Sequence, residues 1–125
     1  MSNEKIRIAY VEDEPSIAEL LSSGLGLIGV NVNPVYMKAE MLLENLETPE
    51  IEEAQMFVFD IRLPGMTGVE LARKLREIGE KRPFLLVSAW PPPTQEELDE
   101  MGARFLPKPF DFMEVIATVK DILGV

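Results

Sequence analysis

The chain has 125 residues, a length typical of one globular domain with a buried core, and we predict a single domain over residues 1–125. It contains no cysteine and no histidine, which excludes disulfides, thiolate or imidazole metal sites and histidine-based catalysis within the chain. A formal net charge of −10 disfavours direct binding to nucleic acid or to an anionic membrane surface. The sequence shows neither a membrane-spanning apolar stretch nor a signal-peptide pattern, so we expect a cytoplasmic protein.

Apolar strand-like runs alternate with helical signals along the chain, five of each. Pro15 suits a first helical turn, and the pairs Thr94/Glu97 and Asp111/Glu114 are capping-box signatures for the last two helices. The predicted strands cover residues 6–11, 30–35, 56–60, 84–88 and 104–107, and the predicted helices begin at Pro15, cover 37–46 and 67–78, and begin near Thr94 and Asp111. An acidic connector over 47–55 precedes the third strand.

Helical periodicity also predicts which side chains are buried. In the second helix the inward positions are Met41, Leu42 and Leu46. In the third helix the buried positions are Leu71, Ala72, Leu75 and Ile78, whereas Glu70, Arg73, Lys74, Arg76 and Glu77 are predicted to face water. The fourth helix has only Leu98 and Met101 on its apolar side, so we expect it to be the least firmly anchored helix.

Five β–α repeats in this length predict an α/β fold: a doubly wound, five-stranded parallel sheet with five helices distributed over both faces. The flavodoxin-like strand order 2-1-3-4-5 would place the first and third strands side by side. Ligands of such sheets bind beyond the C-terminal ends of the strands, at the point where the strand order reverses.

Four of the predicted strands end in chemically reactive residues: Glu12 and Asp13, Asp60, Ser88, and Lys108. Carboxylates about 4 Å apart repel by roughly 4 kcal/mol at an effective dielectric constant of 20, so a cluster of three favours a bound cation. A site with only oxygen ligands favours a hard cation such as Mg2+. A metal beside an amine and a hydroxyl suits a phosphoryl group.

Together with their spacing, these residues resemble the receiver domain of two-component response regulators, over essentially the whole chain. The matching motifs are Tyr10-Val11-Glu12-Asp13-Glu14-Pro15, Asp60-Ile61-Arg62-Leu63-Pro64-Gly65-Met66-Thr67-Gly68, Ser88-Ala89 and Lys108-Pro109-Phe110. Each motif alone is weak, but four motifs in order, each at a strand end, form a specific pattern.

The resemblance implies that Asp60 is the phosphoacceptor, which receives a phosphoryl group from a sensor histidine kinase or a histidine phosphotransfer protein. It also implies that Mg2+ is bound by Glu12, Asp13, Asp60 and the main-chain carbonyl of Arg62. Lys108 would pair with the phosphoryl oxygens, and the bond from Lys108 to Pro109 would be cis.

The resemblance further implies a switch. Ser88 would hydrogen-bond the acyl phosphate, and Phe105 would turn inward, which changes a protein-binding surface. The chain would then be a signalling domain that promotes its own phosphorylation and dephosphorylation, not an enzyme with a separate substrate. Its target would be a downstream protein or an output domain outside this sequence, and the sequence leaves open whether it forms a homodimer.

Simpler interpretations exist for each residue. Glu12 and Asp13 could cap the helix that starts at Pro15, and Asp60 could cap a helix or a turn. Lys108 could be an ordinary solvated lysine, and Ser88 and Phe105 could be ordinary strand residues. The acidic group formed by Glu44, Glu47, Glu50, Glu52 and Glu53 is most simply a solvated face, with docking of a basic partner as the alternative.

Two other function classes remain open at this point. One is a receiver-like interaction module that does not depend on phosphorylation, and the other is a flavodoxin-like small-molecule binder or enzyme. The second class lacks support because the first strand leads into Glu12-Asp13-Glu14-Pro15 and not into a glycine-rich phosphate loop.

Two features depart from the family pattern. The interval from Ser88 to Lys108 is shorter than expected and contains Pro91-Pro92-Pro93, which predicts a stiff loop and an altered output surface or a smaller activation change. Arg62 and Trp90 flank the expected phosphoryl site, where bulky side chains would hinder the hydrolytic water.

Overall fold

The computed structural model describes residues 6–89 and 91–125. The expectation for Trp90 therefore lies outside the described residues. The strands are β1 (Ile6–Val11), β2 (Val30–Tyr36), β3 (Met56–Asp60), β4 (Phe84–Ser88) and β5 (Ala103–Pro107). The helices are α1 (Pro15–Gly26), α2 (Ala39–Glu44), α3 (Pro49–Glu52), α4 (Gly68–Glu77), α5 (Gln95–Met101) and α6 (Phe112–Leu123).

The five strands form one parallel sheet in the order β2-β1-β3-β4-β5. This confirms the predicted doubly wound fold and the neighbouring positions of β1 and β3. Both predicted capping boxes are present, with Thr94 and Asp111 as the N-cap residues of α5 and α6.

The sheet separates two hydrophobic cores because alternate residues of each strand point to opposite faces. One core contains Val11 and Phe59 together with the buried sides of α2, α4 and α5. The other contains Tyr10 and Val58 together with the buried sides of α1 and α6. With both faces covered, β3 and β4 are buried along their whole length, as is typical of central parallel strands.

The structure has six helices among the described residues, not the predicted five. The additional helix, α3, is one turn long and lies in the acidic connector, where Pro49 occupies its first turn and Ile51 is fully buried. Arg82 caps the end of this turn by donating to the main-chain oxygens of Ile51 and Ala54 at 2.6 and 2.9 Å. These long-range contacts stabilise a turn too short to produce a periodic signal in the sequence.

Three burial predictions were wrong. Met41 is 41% exposed and Ile78 is 62% exposed. Ile78 follows the last residue of α4, so the helical periodicity no longer applies to it. Arg76 was predicted to face water, but its guanidinium carbon lies 3.7 Å from the centroid of the Phe84 ring.

Candidate functional site

The register of the sheet brings the predicted site residues together at one edge. Asp60 pairs with Val87, and Ser88 pairs with Pro107. Two main-chain bonds continue this register beyond the strands, from Ile61 N–H to the oxygen of Val87 and from Lys108 N–H to the oxygen of Ser88, both at 2.9 Å. The side chains that follow β1, β3, β4 and β5 therefore start from positions fixed by the sheet.

Lys108 lies between two buried carboxylates. Its Nζ is 3.1 Å from Glu12 Oε1 and 3.2 Å from Asp60 Oδ2, and Glu14 Oε1 is 3.7 Å away. Burial lowers the pKa of Lys108, but its pairing with Glu12 and Asp60 outweighs this effect and raises the pKa overall. The side chain therefore carries a full positive charge at neutral pH. The Lys108–Pro109 peptide bond is cis, which confirms the expectation from the resemblance.

Glu12 is only 1% exposed. Its Oε1 accepts a hydrogen bond from the Tyr10 hydroxyl at 2.8 Å, and its Oε2 accepts one from Glu14 N–H at 3.3 Å. Burial raises the pKa of Glu12 to about 7; the bond from Tyr10 opposes the increase, and Asp60 adds to it. The N-cap residue of α1 is Glu14, which makes no side-chain cap bond, so neither Glu12 nor Asp13 is the N-cap of this helix.

Asp60 is 2% exposed, and each of its carboxylate oxygens accepts a hydrogen bond. Oδ1 accepts from Arg62 N–H at 3.2 Å and Oδ2 accepts from Lys108 Nζ at 3.2 Å. The first bond is the local turn bond that a simple capping role would require. The second spans 48 positions of sequence and aims an ammonium group at the carboxylate, which a turn does not require.

The carboxylates also satisfy the requirements of a hard metal ion. Glu12, Asp13, Glu14 and Asp60 each offer an oxygen, and these four atoms lie within 4.8 Å of one another. A set of oxygen donors that carries a negative charge suits Mg2+ and not a softer metal. Glu14 was not among the predicted ligands, whereas Glu12, Asp13 and Asp60 were.

Ser88 is the last residue of β4, the strand beside β3, and Phe105 lies on β5, where it pairs with Leu86 of β4. Ser88 is 1% exposed, and its Oγ has no hydrogen-bond partner among the described residues. A buried hydroxyl without a partner is costly, so this atom is available to an incoming acceptor or donor. Phe105 is half-buried against the core on the α4 and α5 side and borders a groove of about 350 Å3 that Pro93 and Leu98 also line.

Sequence reasoning assigned no role to Tyr10. The signal was nevertheless present, because residues two apart on a strand point to the same face, which places Tyr10 beneath Glu12. A buried tyrosine in a mostly aliphatic strand is a reason to look for a polar partner of its hydroxyl.

The family model described as the response regulator receiver domain matches residues 8–120. The chain belongs to this family. Among curated proteins it is 35% identical over 123 residues to the alkaline phosphatase synthesis transcriptional regulatory protein PhoP of Bacillus subtilis, with 94% of this chain and 48% of that protein covered. It is 29% identical over 120 residues to the response regulator MprA of Mycobacterium leprae, with 94% of this chain and 51% of that protein covered.

The solved structures agree with the fold. The chemotaxis response regulator CheY4 of Vibrio cholerae superposes with a TM-score of 0.81 at 22% identity, covering 95% of this chain and 99% of that one. The receiver fold and the two-component family are therefore established for this chain. The chain spans about half the length of the curated relatives named above. Among the described residues, no helix has the length and apolar character needed to cross a bilayer.

Proposed function

We propose that residues 1–125 form one phosphoacceptor receiver domain, in which Asp60 accepts a phosphoryl group with the help of Mg2+. The observation that carries this proposal is the position of Asp60. It is a nearly buried carboxylate with an ammonium group 3.2 Å from Oδ2, in a cluster of four carboxylates at the sheet edge. Family membership alone would not identify the phosphoacceptor, because the family match does not show that Asp60, Lys108 and the other carboxylates lie together in this chain.

The chemical step is an attack by an Asp60 oxygen on the phosphorus atom of a phosphohistidine held by a partner protein. The new P–O bond forms as the P–N bond breaks, and the electron pair of that bond returns to the imidazole nitrogen. The product is an acyl phosphate on Asp60. These 125 residues contain no histidine, so the donor is a histidine outside this sequence or a small phosphoryl compound.

Two cations would balance the incoming phosphoryl group. Lys108 is already directed at Asp60 Oδ2 and supplies one of them. Glu12, Asp13, Asp60 and the main-chain carbonyl of Arg62 would hold Mg2+, with Glu14 as an additional oxygen donor at the cluster. When bound, the metal neutralises charge on the phosphoryl oxygens as the group is transferred.

The unpartnered hydroxyl of Ser88 supports a role after phosphorylation. A phosphoryl oxygen at Asp60 would give Ser88 Oγ the hydrogen bond that it lacks among the described residues. Movement of Ser88 towards the acyl phosphate would leave space beside β4 for Phe105, whose ring borders the groove next to α5. The surface formed by α5, β5 and α6 would then differ between the two states, and partners would read this difference.

The partners follow from this chemistry. We propose a sensor histidine kinase or histidine phosphotransfer protein as the donor, and a downstream protein or an output domain as the receiver of the signal. PhoP is named as a transcriptional regulatory protein, but only 48% of PhoP is covered by the match to this chain, so that name describes a protein about twice as long as the matched region. For this chain, with its net charge of −10, we expect no direct contact with nucleic acid.

An interaction module that does not depend on phosphorylation is the second candidate. The observation that favours it is the rigid segment 91–93, three consecutive prolines immediately before α5, in the region that would have to move. The intact carboxylate cluster and Lys108 favour phosphorylation instead.

The test is the intact mass of the protein after incubation with acetyl phosphate or phosphoramidate, with and without Mg2+. We expect one added phosphoryl group that requires Mg2+, is absent in Asp60→Asn and is retained in Asp99→Asn, a control that replaces an exposed aspartate of α5. Faster loss of the adduct from the folded protein than from the urea-denatured protein would report self-catalysed dephosphorylation. No adduct under any condition would favour the phosphorylation-independent module.

A further inference from the structure

Tyr10 is a fully buried tyrosine in β1 with its hydroxyl directed into the acidic site. Its exposed fraction is 0%, and its ring belongs to the core between the sheet and the helices α1 and α6. The hydroxyl donates to Glu12 Oε1 at 2.8 Å. Phenylalanine would fill the same space without burying a polar group, so the hydroxyl has a cost that this bond must offset.

The bond from Tyr10 restricts the orientation of a carboxylate that has several competing partners. Lys108 Nζ lies 3.1 Å from Oε1 and 3.2 Å from Oε2 of Glu12, so it does not distinguish the two oxygens. The Tyr10 hydroxyl does distinguish them, because it approaches Oε1 from the core side. Oε2 makes a different contact, since it accepts the main-chain N–H of Glu14, another carboxylate residue of the cluster, at 3.3 Å.

We infer that Tyr10 is a positioning residue for the cation site: its hydroxyl holds the Glu12 carboxylate so that one oxygen faces the metal ligands and the other is retained in the core. This inference rests on the proposed function, since it assigns Glu12 to the metal. Hydrogen bonds from outer residues to metal-ligating groups commonly set metal affinity in this way.

Removal of the hydroxyl should weaken the site without abolishing it. In Tyr10→Phe, Oε1 retains Lys108 as its donor, and the carboxylate is free to turn towards the ammonium group. A metal ion then has to compete with a closer ion pair between Glu12 and Lys108. It also has to bind a carboxylate that is no longer held in one orientation. The expected loss is roughly tenfold in Mg2+ affinity, the lower end of what outer-shell substitutions cost.

The experiment compares wild type, Tyr10→Phe and Tyr36→Phe by calorimetric titration with MgCl2 and by the Mg2+ dependence of phosphorylation with acetyl phosphate. Tyr36 is a matched control because it is the other of the two tyrosines and contacts Glu12 through its main-chain oxygen, 2.9 Å from Glu12 N, which the substitution preserves. We expect Tyr10→Phe to raise the dissociation constant and the half-saturating Mg2+ concentration roughly tenfold. The maximal phosphorylation rate at saturating Mg2+ should match that of wild type, which a purely structural defect would not produce.

A second measurement uses the wild-type Tyr10 itself. Incorporation of 3-fluorotyrosine gives two labelled positions, and Tyr36→Phe leaves Tyr10 as the single fluorine signal. That signal should shift on addition of Mg2+ with the same half-saturation as the calorimetric titration. An unmoved signal, or equal Mg2+ affinity in Tyr10→Phe and wild type, overturns the inference and leaves the proposed function intact. Absence of Mg2+ binding by wild type overturns both.

Discussion

Gly68 lies against the main-chain carbonyl of Asp60 so closely that a Cβ atom at position 68 would overlap with that oxygen. The Gly68 N–H also donates to the oxygen of Ile61 at 3.0 Å. The first residue of α4 thus holds the chain immediately after Asp60, the proposed phosphoacceptor. Because the obstructing atoms belong to the backbone, no side-chain rotation relieves the overlap.

Gly68→Ala should therefore destabilise the protein and displace Asp60. We expect a loss of about 2–4 kcal/mol in the free energy of unfolding, the scale of a forced backbone shift in a packed region. Urea denaturation measures the loss. Gly26→Ala is the control, because a Cβ there meets nothing within 4 Å; it should be neutral or slightly stabilising. Equal stability of both variants would contradict this role for Gly68.

Asp60→Asn should have the opposite effect on stability. Three other carboxylates offer oxygens within 4.8 Å of the Asp60 carboxylate, against the single ammonium of Lys108. Neutralising Asp60 removes more repulsion than attraction, so without Mg2+ the variant should gain about 1–2 kcal/mol at an effective dielectric constant near 20. Urea denaturation in EDTA and in Mg2+ tests this, and Mg2+ should stabilise wild type more than the variant. Glu47→Gln, at an exposed position of the connector, controls for the change in net charge.

Much of the site was predictable because residues that follow different strands of a parallel sheet all lie at the same edge of that sheet. Glu12, Asp60, Ser88 and Lys108 each follow an apolar run, and the strand order alone brings them to one edge. Periodicity did not predict individual side-chain contacts. The bond from Tyr10 to Glu12 was missed because the apolar pattern shows which strand residues are buried but does not show which polar group a buried hydroxyl meets.

Long-range polar contacts were the other source of error. Arg76 lies among charged residues of an amphipathic helix, a pattern that predicts exposure. It turns inward because its guanidinium donates hydrogen bonds to two main-chain oxygens, that of Met101 at the end of α5 and that of Glu80 after the end of α4. Both oxygens lie outside α4, so the periodicity of that helix does not predict these contacts. The helix α3 was missed for the same reason, since it is stabilised by a hydrogen bond from Arg82, distant in the sequence, to the main-chain oxygen of Ile51.

The pH dependence of stability should show the raised pKa of Glu12. Its pKa is about 7 in the folded protein against 4.5 ordinarily, so the folded state binds the proton more tightly than the unfolded state. The resulting stability is fully present below about pH 4.5 and is lost as the pH rises through 7. The shift corresponds to roughly 3 kcal/mol at about 1.4 kcal/mol per pH unit.

Urea denaturation of the metal-free protein between pH 4.5 and 8 measures this effect against Glu12→Gln. The variant should lack the Glu12 contribution, so the difference in unfolding free energy between the two proteins should grow as the pH rises. A difference that does not change with pH would contradict the raised pKa. Mg2+ should reduce the loss in wild type at high pH, because under the proposed function the ion binds the ionised carboxylate.

Arg76→Lys should destabilise the protein although the charge is kept. The guanidinium donates to the oxygens of Met101 and Glu80, both at 2.7 Å, and lies over the Phe84 ring. Lysine cannot reproduce this planar arrangement, so we expect a loss of about 1–3 kcal/mol. Arg73→Lys, one turn earlier in α4, is the control. Its ion pairs with Glu97 and Glu100 are exposed, so it should change stability by less than about 0.5 kcal/mol. Equal losses would show that Arg76 does not anchor α5.

The proline segment 91–93 should limit the change that phosphorylation produces in α5. This helix is held by two buried residues, Leu98 and Met101, and by the hydrogen bond from Arg76 to the main-chain oxygen of Met101, and these contacts resist its displacement. The prolines also restrict the conformation of the segment that leads into it. Amide hydrogen exchange over residues 89–104, with and without beryllofluoride and Mg2+, should therefore change little. Replacing all three prolines with alanine should enlarge the change, and Asp60→Asn should abolish it in both backgrounds. Large changes in wild type would mean that the loop moves freely and that α5 responds despite its anchors.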